Sequence, residues 1–244
     1  MSLDRQIGAA LWRQIAEALS AEICSGALPP GARFATESEL SARFKVNRHT
    51  VRRAIQELTH QGLVRVEHGK GTFVQGPGID YPLGPRTRFT EIMLSKGISP
   101  SRKVLETERI EADGRLAELL NVATGAPLVC TETLSSANGQ TFAFSIHYFP
   151  EERLPGIAKH LEATRSITAS LEQLGHGDYR REWTRVSAEL PDARIADVLG
   201  RPQSRPILKT ESLNLATDGT PLEFGVAHFS GDLCRLTVEG APYD

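Results

Sequence analysis

The 244-residue chain repeats part of itself once, and that repeat restricts its second half to few architectures. "DGRLAELLNVATGAPLVCTETLSSANGQTFAFSIHYF" aligns with "DARIADVLGRPQSRPILKTESLNLATDGTPLEFGVAHF". Asp113 matches Asp192, Arg115 matches Arg194, Ala117 matches Ala196 and Leu120 matches Leu199, each 79 residues apart. Pro127 and Pro206, Glu132 and Glu211, and Leu134 and Leu213 keep that offset; Gly139 and Gly219 stand 80 apart after one insertion. A period this long indicates one duplicated unit rather than a solenoid. Each copy reads as a short helix, a strand, an Asn-Gly or Asp-Gly hairpin turn and a second strand. Two such hairpins side by side predict a largely antiparallel sheet, with helices such as "SITASLEQLG" covering one face.

The first third follows another rule. "ALWRQIAEALSAEICSG" places Leu11, Ile15, Leu19 and Ile23 at helical spacing, with Gly26 as a C-cap. "ALPPGARF" reads as a loop. "TESELSARF" opens with Thr36 and, three residues on, Glu39, a capping box. Only "KVN" separates this short helix from the next, which Asn47 can cap and which ends near Gly62. Two helices joined so tightly make a helix-turn-helix. Within "FKVNRHTVRRAIQEL", Ala54, Ile55 and Leu58 fall within about 60° of Val51 on a helical wheel. His49, Arg52, Arg53 and Gln56 point the other way, and Arg48 sits in the first turn. "LVRVEHGKGTFV" then reads as a hairpin with His68, Gly69 and Lys70 at its tip. The whole is a winged helix whose cationic helix face and wing tip share one surface.

Double-stranded DNA explains both features. A helix fits the major groove, where the Arg48 and Arg52 forks can reach bases or phosphates one turn apart. Ser38, His49 and Thr50 have the reach and polarity for phosphates. The charge distribution agrees: residues 1–76 hold ten Lys/Arg and seven Asp/Glu, leaving 28 − 10 = 18 and 30 − 7 = 23 for the rest. The first third is therefore +3 and the remainder −5, which points to an anionic partner for the N-terminal part. No run of about 18 apolar residues predicts a membrane span, and no signal peptide opens the chain. Cys24, Cys130 and Cys234 are widely spaced and without a C-x-x-C pair, as expected of a cytoplasmic protein with neither zinc site nor disulfide framework.

"ARFATESELSARFKVNRHTVRRAIQELTHQGLVRVEHGKGTFV" resembles the winged helix of the GntR family of bacterial transcription regulators, over roughly residues 9–75. The resemblance implies DNA contacts from Arg33, Ser38, Arg48, Thr50, Arg52, His68 and Gly69. Two departures stand out: "FAT" where relatives commonly read Leu-Pro-Ser, and Ser38 where some relatives carry a phosphate-contacting arginine. "QGPGIDYPLGPRTRF" reads as a linker by its glycines and prolines. The expected organisation is a DNA-binding domain over 1–75, a linker over 76–86 and an effector-binding domain over 87–244.

The strand-rich second half is similar to the effector domain of the HutC branch, the UTRA domain, which resembles chorismate lyase in fold. The expected class is therefore α+β: a winged helix-turn-helix followed by a mainly antiparallel sheet domain with an internal duplication. Kinship to a lyase raises an enzyme as the rival reading. No acid–base pair, metal-spaced cluster or nucleophile arrangement stands out, and His147 and His228 read as strand histidines. Catalytic residues, metal and cofactor are therefore expected to be absent, and the domain is read as a sensor. The resemblance implies a small anionic effector, with Arg88, Phe89 and Thr90 matching an anion-binding segment of relatives. Ser166 and Thr168 could act likewise. In sugar-phosphate sensors two arginines occupy the strand matched by "TETLSS", where this chain has Thr133 and Ser135. Ser145, Arg185 and Glu223 are further pocket candidates. "IDYPLGPRTRF" looks most like regulators of phosphonate-uptake and carbon–phosphorus cleavage operons, which implies a phosphorus-containing effector; a regulator of histidine or amino-sugar catabolism is the alternative. The mechanism this implies is a homodimeric repressor relieved by its ligand.

Overall fold

The structure, a computed structural model, describes residues 11–25, 27–28, 31–67, 71–75 and 78–238. The expected cap at Gly26 and the wing-tip residues His68, Gly69 and Lys70 lie outside these. The chain divides into two compact units, Met1–Gly78 and Ile79–Asp244.

In the first unit, α1 (Leu11–Cys24), α2 (Glu37–Phe44) and α3 (Arg48–His60) precede the hairpin of β1 (Val64–Glu67) and β2 (Gly71–Val74). The capping box forms in full: Thr36 N donates to Glu39 Oε2 at 2.8 Å, and Glu39 N to Thr36 Oγ1 at 3.3 Å. Lys45 ends α2 in the left-handed region, at φ 53°, and two residues later the Asn47 side chain starts α3 by accepting from Thr50 N at 2.8 Å. Ile15, Leu19, Leu40, Phe44, Val51, Ala54 and Leu58 form one core with Val64 and Val74 of the hairpin. The loop expected over 27–34 touches the hairpin through one isolated bridge. Arg33 bridges to Phe73, and Phe34 N donates to Thr72 O at 2.7 Å.

The second unit is built on a six-stranded antiparallel sheet of order β4-β5-β6-β9-β8-β7. Its strands are β4 (Pro100–Glu111), β5 (Pro127–Ala137), β6 (Gln140–Pro150), β7 (Arg180–Glu189), β8 (Ile207–Leu215) and β9 (Pro221–Ser230). The two predicted hairpins, β5–β6 and β8–β9, meet at β6 and β9. Ile146 lies opposite Val226, its own equivalent at an offset of 226 − 146 = 80, so a pseudo-two-fold axis passes between them. The repeat extends one strand further back than the sequence alignment, because β4 and β7 flank the hairpins in equivalent places. The linker expected over 76–86 is not wholly irregular: β3 (Ile79–Pro82) pairs in parallel with β10 (Cys234–Thr237).

Helices cover both faces rather than one. On one face, α5 (Gly114–Leu120) packs on Leu128, Leu213 and Phe224, and α8 (Ala193–Leu199) on Phe144 and Ile207. On the other, α6 (Ile157–Thr164) and α7 (Ile167–Gln173) pack on Val129 and Phe149, while α4 (Phe89–Ser95) packs with Tyr81, Phe142 and Phe229. The first face shows the duplication in its chemistry. Arg115 reaches Glu211 at 2.6 Å and Arg194 reaches Glu132 at 2.5 Å, so each repeat's helix binds the other repeat's strand. The same arginines stack over Phe224 and Phe144, at 5.5 and 5.3 Å.

Candidate functional site

Each unit carries one site. In the first, the buried stripe of α3 (Val51, Ala54, Ile55 and Leu58) leaves Arg48, His49 and Arg52 exposed on the opposite side. Neither arginine hangs free. Arg52 donates from Nε and Nη2 to the two carboxylate oxygens of Glu37, both at 2.9 Å, a fork-on-fork geometry that fixes the guanidinium plane. Arg48 Nη2 donates to Ser38 Oγ at 2.9 Å. The hydrogen bond from Arg52, opposed by partial burial and helped by the charges of Arg52, Arg48 and His49, holds the Glu37 carboxyl below its usual range. Thr50 Oγ1 lies 2.9 Å from Asn47 Oδ1, which makes Thr50 part of the helix cap. Arg33 is exposed at the isolated bridge to Phe73, with its side chain beside Gly71. Gly71 has φ +115°, and a Cβ there would lie 3.5 Å from Arg33 Nε; only glycine takes that backbone without strain. Arg53 turns instead to the ring of Trp12, at 4.5 Å. Sequence reasoning missed Glu37 as the brace of Arg52, since no local spacing links residues on two helices.

The second unit holds a polar cavity between the sheet and the segment from β3 to α4, closed further by α7. It offers about 80 Å³ to the centres of water-sized molecules; one water needs roughly 15 Å³ by that measure. A few waters or one small charged group therefore fit. An outer cleft of about 490 Å³ shares Arg88, Thr168 and Tyr179 with it.

Strand alternation makes this face unusual. Thr133, Ser135, Ser145, His147, Thr210, Ser212, Asn214 and Glu223 all point to it from β5, β6, β8 and β9, where an apolar core would normally lie. Buried polar groups persist only when hydrogen-bonded, and these form a web. Glu223, 4% exposed, accepts from His147 Nδ1 and from Asn214 Nδ2, both at 2.6 Å. His147 Nε2 lies 3.3 Å from Thr133 Oγ1, and Arg181 Nε donates to Asn214 Oδ1 at 3.2 Å. Burial raises the Glu223 carboxyl, but the hydrogen bond and charge of His147, with Arg181 and Asn214, outweigh it and leave the group below its usual range. Burial pushes the Tyr81 phenol up to about 12. Arg88 donates to Gly177 O at 2.7 Å and Glu91 Oε1 at 3.1 Å and stacks over Tyr179 at 5.2 Å, yet its buried Nε has no partner among the described residues.

Of the candidates, Arg88, Phe89, Thr90, Ser135, Ser145, Ser166, Thr168 and Glu223 line the cavity. Ser166 also caps α7, accepting from Ala169 N at 3.3 Å, and Thr168 Oγ1 lies 2.9 Å from the Tyr179 hydroxyl. Two candidates stand elsewhere. Thr133 sits behind His147 as its support. Arg185 is a correction: strand alternation puts it on the opposite face, exposed, opposite Glu211 and stacked 4.5 Å from Trp183. His147, read as a strand histidine, stands on β6 and also lines the cavity. Arg102, Arg181 and Asn214 also line the cavity and had no signal in local spacing. Among the described residues no cluster of His, Cys, Asp and Glu could hold a metal ion, and no helix is long and apolar enough to cross a membrane.

A winged helix with a cationic recognition face, joined to a sheet domain enclosing a polar cavity, defines a DNA-binding transcription regulator with an effector domain. Residues 11–74 match the bacterial regulatory proteins of the gntR family, and residues 95–235 match the UTRA domain. The chain belongs to the GntR family, in the HutC branch that carries a UTRA domain. It is 32% identical to an uncharacterized HTH-type transcriptional regulator of Rhizobium meliloti, over 97% of this chain and 98% of the relative. With the probable transcriptional regulator PhnF of Escherichia coli it shares 31% identity, covering 93% and 94% of the two chains. The crystal structure of PhnF from Mycobacterium smegmatis superposes with a TM-score of 0.65 at 27% identity, over 94% of this chain and 100% of that one. The family and these relatives are transcriptional regulators.

Proposed function

We propose that the protein is a homodimeric repressor in the cytoplasm that binds a pseudo-palindromic operator and releases it on binding a small phosphorus-containing anion, controlling genes of phosphonate uptake or metabolism. One observation supports this most: three arginines, Arg88, Arg102 and Arg181, surround a cavity whose only lining carboxylate among the described residues is Glu223. A container with that excess of positive charge suits an anion. The likeness to two proteins named PhnF favours phosphonate genes. In the DNA-bound state, Arg48 and Arg52 face base edges or phosphates, while Ser38, His49, Thr50 and Arg33 contact the backbone, with His68, Gly69 and Lys70 at the adjoining groove. Ligand lowers DNA affinity by its preference for the conformer that holds operator less well.

The test is titration of the purified protein onto its own upstream DNA, with and without phosphate, phosphonates and sugar phosphates. Tight, salt-sensitive binding released by a phosphorus compound is the expected result. Binding that ignores every such compound overturns the choice of effector, and absence of selective binding overturns the operator claim.

A further inference from the structure

The duplication extends into the cavity. Arg102 on β4 and Arg181 on β7 are equivalents, 181 − 102 = 79 residues apart. Their partners are equivalents too: Arg102 Nε donates to Ser135 Oγ and Arg181 Nε to Asn214 Oδ1, both at 3.2 Å, and 214 − 135 = 79. Each arginine lies directly across the ladder from its partner. The sheet therefore offers the same device from each of its outer strands. Anchored through Nε, each guanidinium keeps its two Nη groups for something else, and among the described residues neither has a carboxylate in ion-pair contact. Both line the one cavity, and the positive charge of each favours the ionised form of the buried Tyr81 phenol, against the effect of burial. Two like charges brought to one cavity, with no carboxylate paired to either among the described residues, leave electrostatic work for a ligand.

Resting on the anionic-effector reading above, we infer that Arg102 and Arg181 are two symmetry-related arms of one clamp, and that it takes a dianionic phosphoryl group, a phosphonate or a phosphate monoester. Tetrahedral oxygens suit two guanidinium forks approaching from different sides. Charge decides the class. Glu223 is already satisfied by His147 and Asn214, so a ligand of charge −2 balances the two arms, whereas a carboxylate or sulfonate leaves one uncompensated. The inner cavity has the size of such a group, and any substituent on it extends toward the outer cleft past Tyr179. These arms are not the positions at which sugar-phosphate sensors carry their arginines, here Thr133 and Ser135, so the clamp is a separate solution on outer strands.

The test is calorimetric titration of the full-length protein with methylphosphonate, inorganic phosphate and glycerol 3-phosphate, and with methanesulfonate, which copies the phosphonate shape with one charge fewer. The expected result is that at least one phosphoryl compound binds the wild type, with methanesulfonate at least tenfold weaker than methylphosphonate. Arg102→Gln and Arg181→Gln should each weaken phosphoryl binding by about tenfold or more and shrink the phosphonate–sulfonate ratio. Arg102→Lys and Arg181→Lys should retain part of it. Melting without ligand should stay at or above the wild-type temperature in the glutamine variants, separating loss of ligand from loss of fold. Wild-type affinity in both glutamine variants overturns the clamp while leaving a phosphorus effector in place. Loss in one variant alone reduces the site to one arm and overturns the symmetry argument. If no phosphoryl compound binds the wild type, the effector reading and the clamp fall together.

Discussion

Glu223→Gln tests whether the buried web is the structural hub of the effector domain. In the wild type one carboxylate oxygen takes the His147 Nδ1 proton and the other an Asn214 amide proton, both at 2.6 Å. Glutamine presents an N–H where one donor already points, so it leaves one donor facing another at a site with a 4% exposed side chain. Leaving a buried donor without its acceptor costs about 1–3 kcal/mol. For a unit of this size each kcal/mol moves the midpoint by roughly 2–4 °C, so the variant should melt about 2–12 °C lower near neutral pH. Trp12 lies in the first unit and Trp183 in the second, and the chain has two tryptophans. In a Trp12→Phe background, fluorescence melting therefore follows the effector domain alone. The pH dependence carries its own sign. A carboxyl held below its usual range stabilises the fold above the unfolded value of about 4.3. That contribution disappears as pH falls through the lower folded value, so the gap between wild type and variant should narrow below about pH 4. A variant that melts within 2 °C of wild type at neutral pH, or a gap that widens on acidification, refutes the assignment.

Three further outcomes follow. Arg52→Ala should lose on the order of 5- to 150-fold in discrimination between operator and random DNA if Arg52 reads one base pair, with competition binding as the assay; unchanged selectivity removes it from the reading residues. Glu37→Gln should move two quantities in opposite directions. Removing a negative charge from the DNA-facing surface strengthens random-sequence binding and steepens the salt dependence by up to about one unit of slope, while the unbraced Arg52 loses selectivity; a parallel gain in both contradicts the bracing role. Thiol labelling should find one fast site, because Cys24 is exposed whereas burial pushes the Cys130 and Cys234 thiols up to about 11 and 12; fast reaction at a second cysteine in the folded protein contradicts this.

What was legible in the sequence was what depends on neighbours along the chain. The capping box at Thr36, the Asn47 cap and the apolar stripe from Val51 to Leu58 are local, and each forms as spacing predicts. The duplicated hairpins were legible because turn residues and hydrophobic positions repeat at one offset. What stayed hidden depends on which strands become neighbours. Arg102 and Arg181 precede the alignable part of each repeat, and only the flanking positions of β4 and β7 give them a shared role. Arg185 was misplaced because a bulge between Arg181 and Trp183 shifts the alternation of β7. The linker composition at 76–86 concealed β3 because its partner, β10, lies some 150 residues away. His147 looked like a lone strand histidine; Glu223, its partner, lies on the neighbouring strand β9.

The pseudo-two-fold axis between Ile146 and Val226 has a consequence for which way round a ligand lies. Two equivalent arms by themselves do not distinguish the two ends of a guest. At the centre, however, the halves differ: Ala143 corresponds to Glu223 and His147 to Ala227, each at an offset of 80. Both departures from symmetry meet in a single contact, His147 with Glu223. Direction in this domain thus comes from side chains that the two halves do not share, this pair and the Arg88–Tyr179 side of the cavity, laid over a repeated frame.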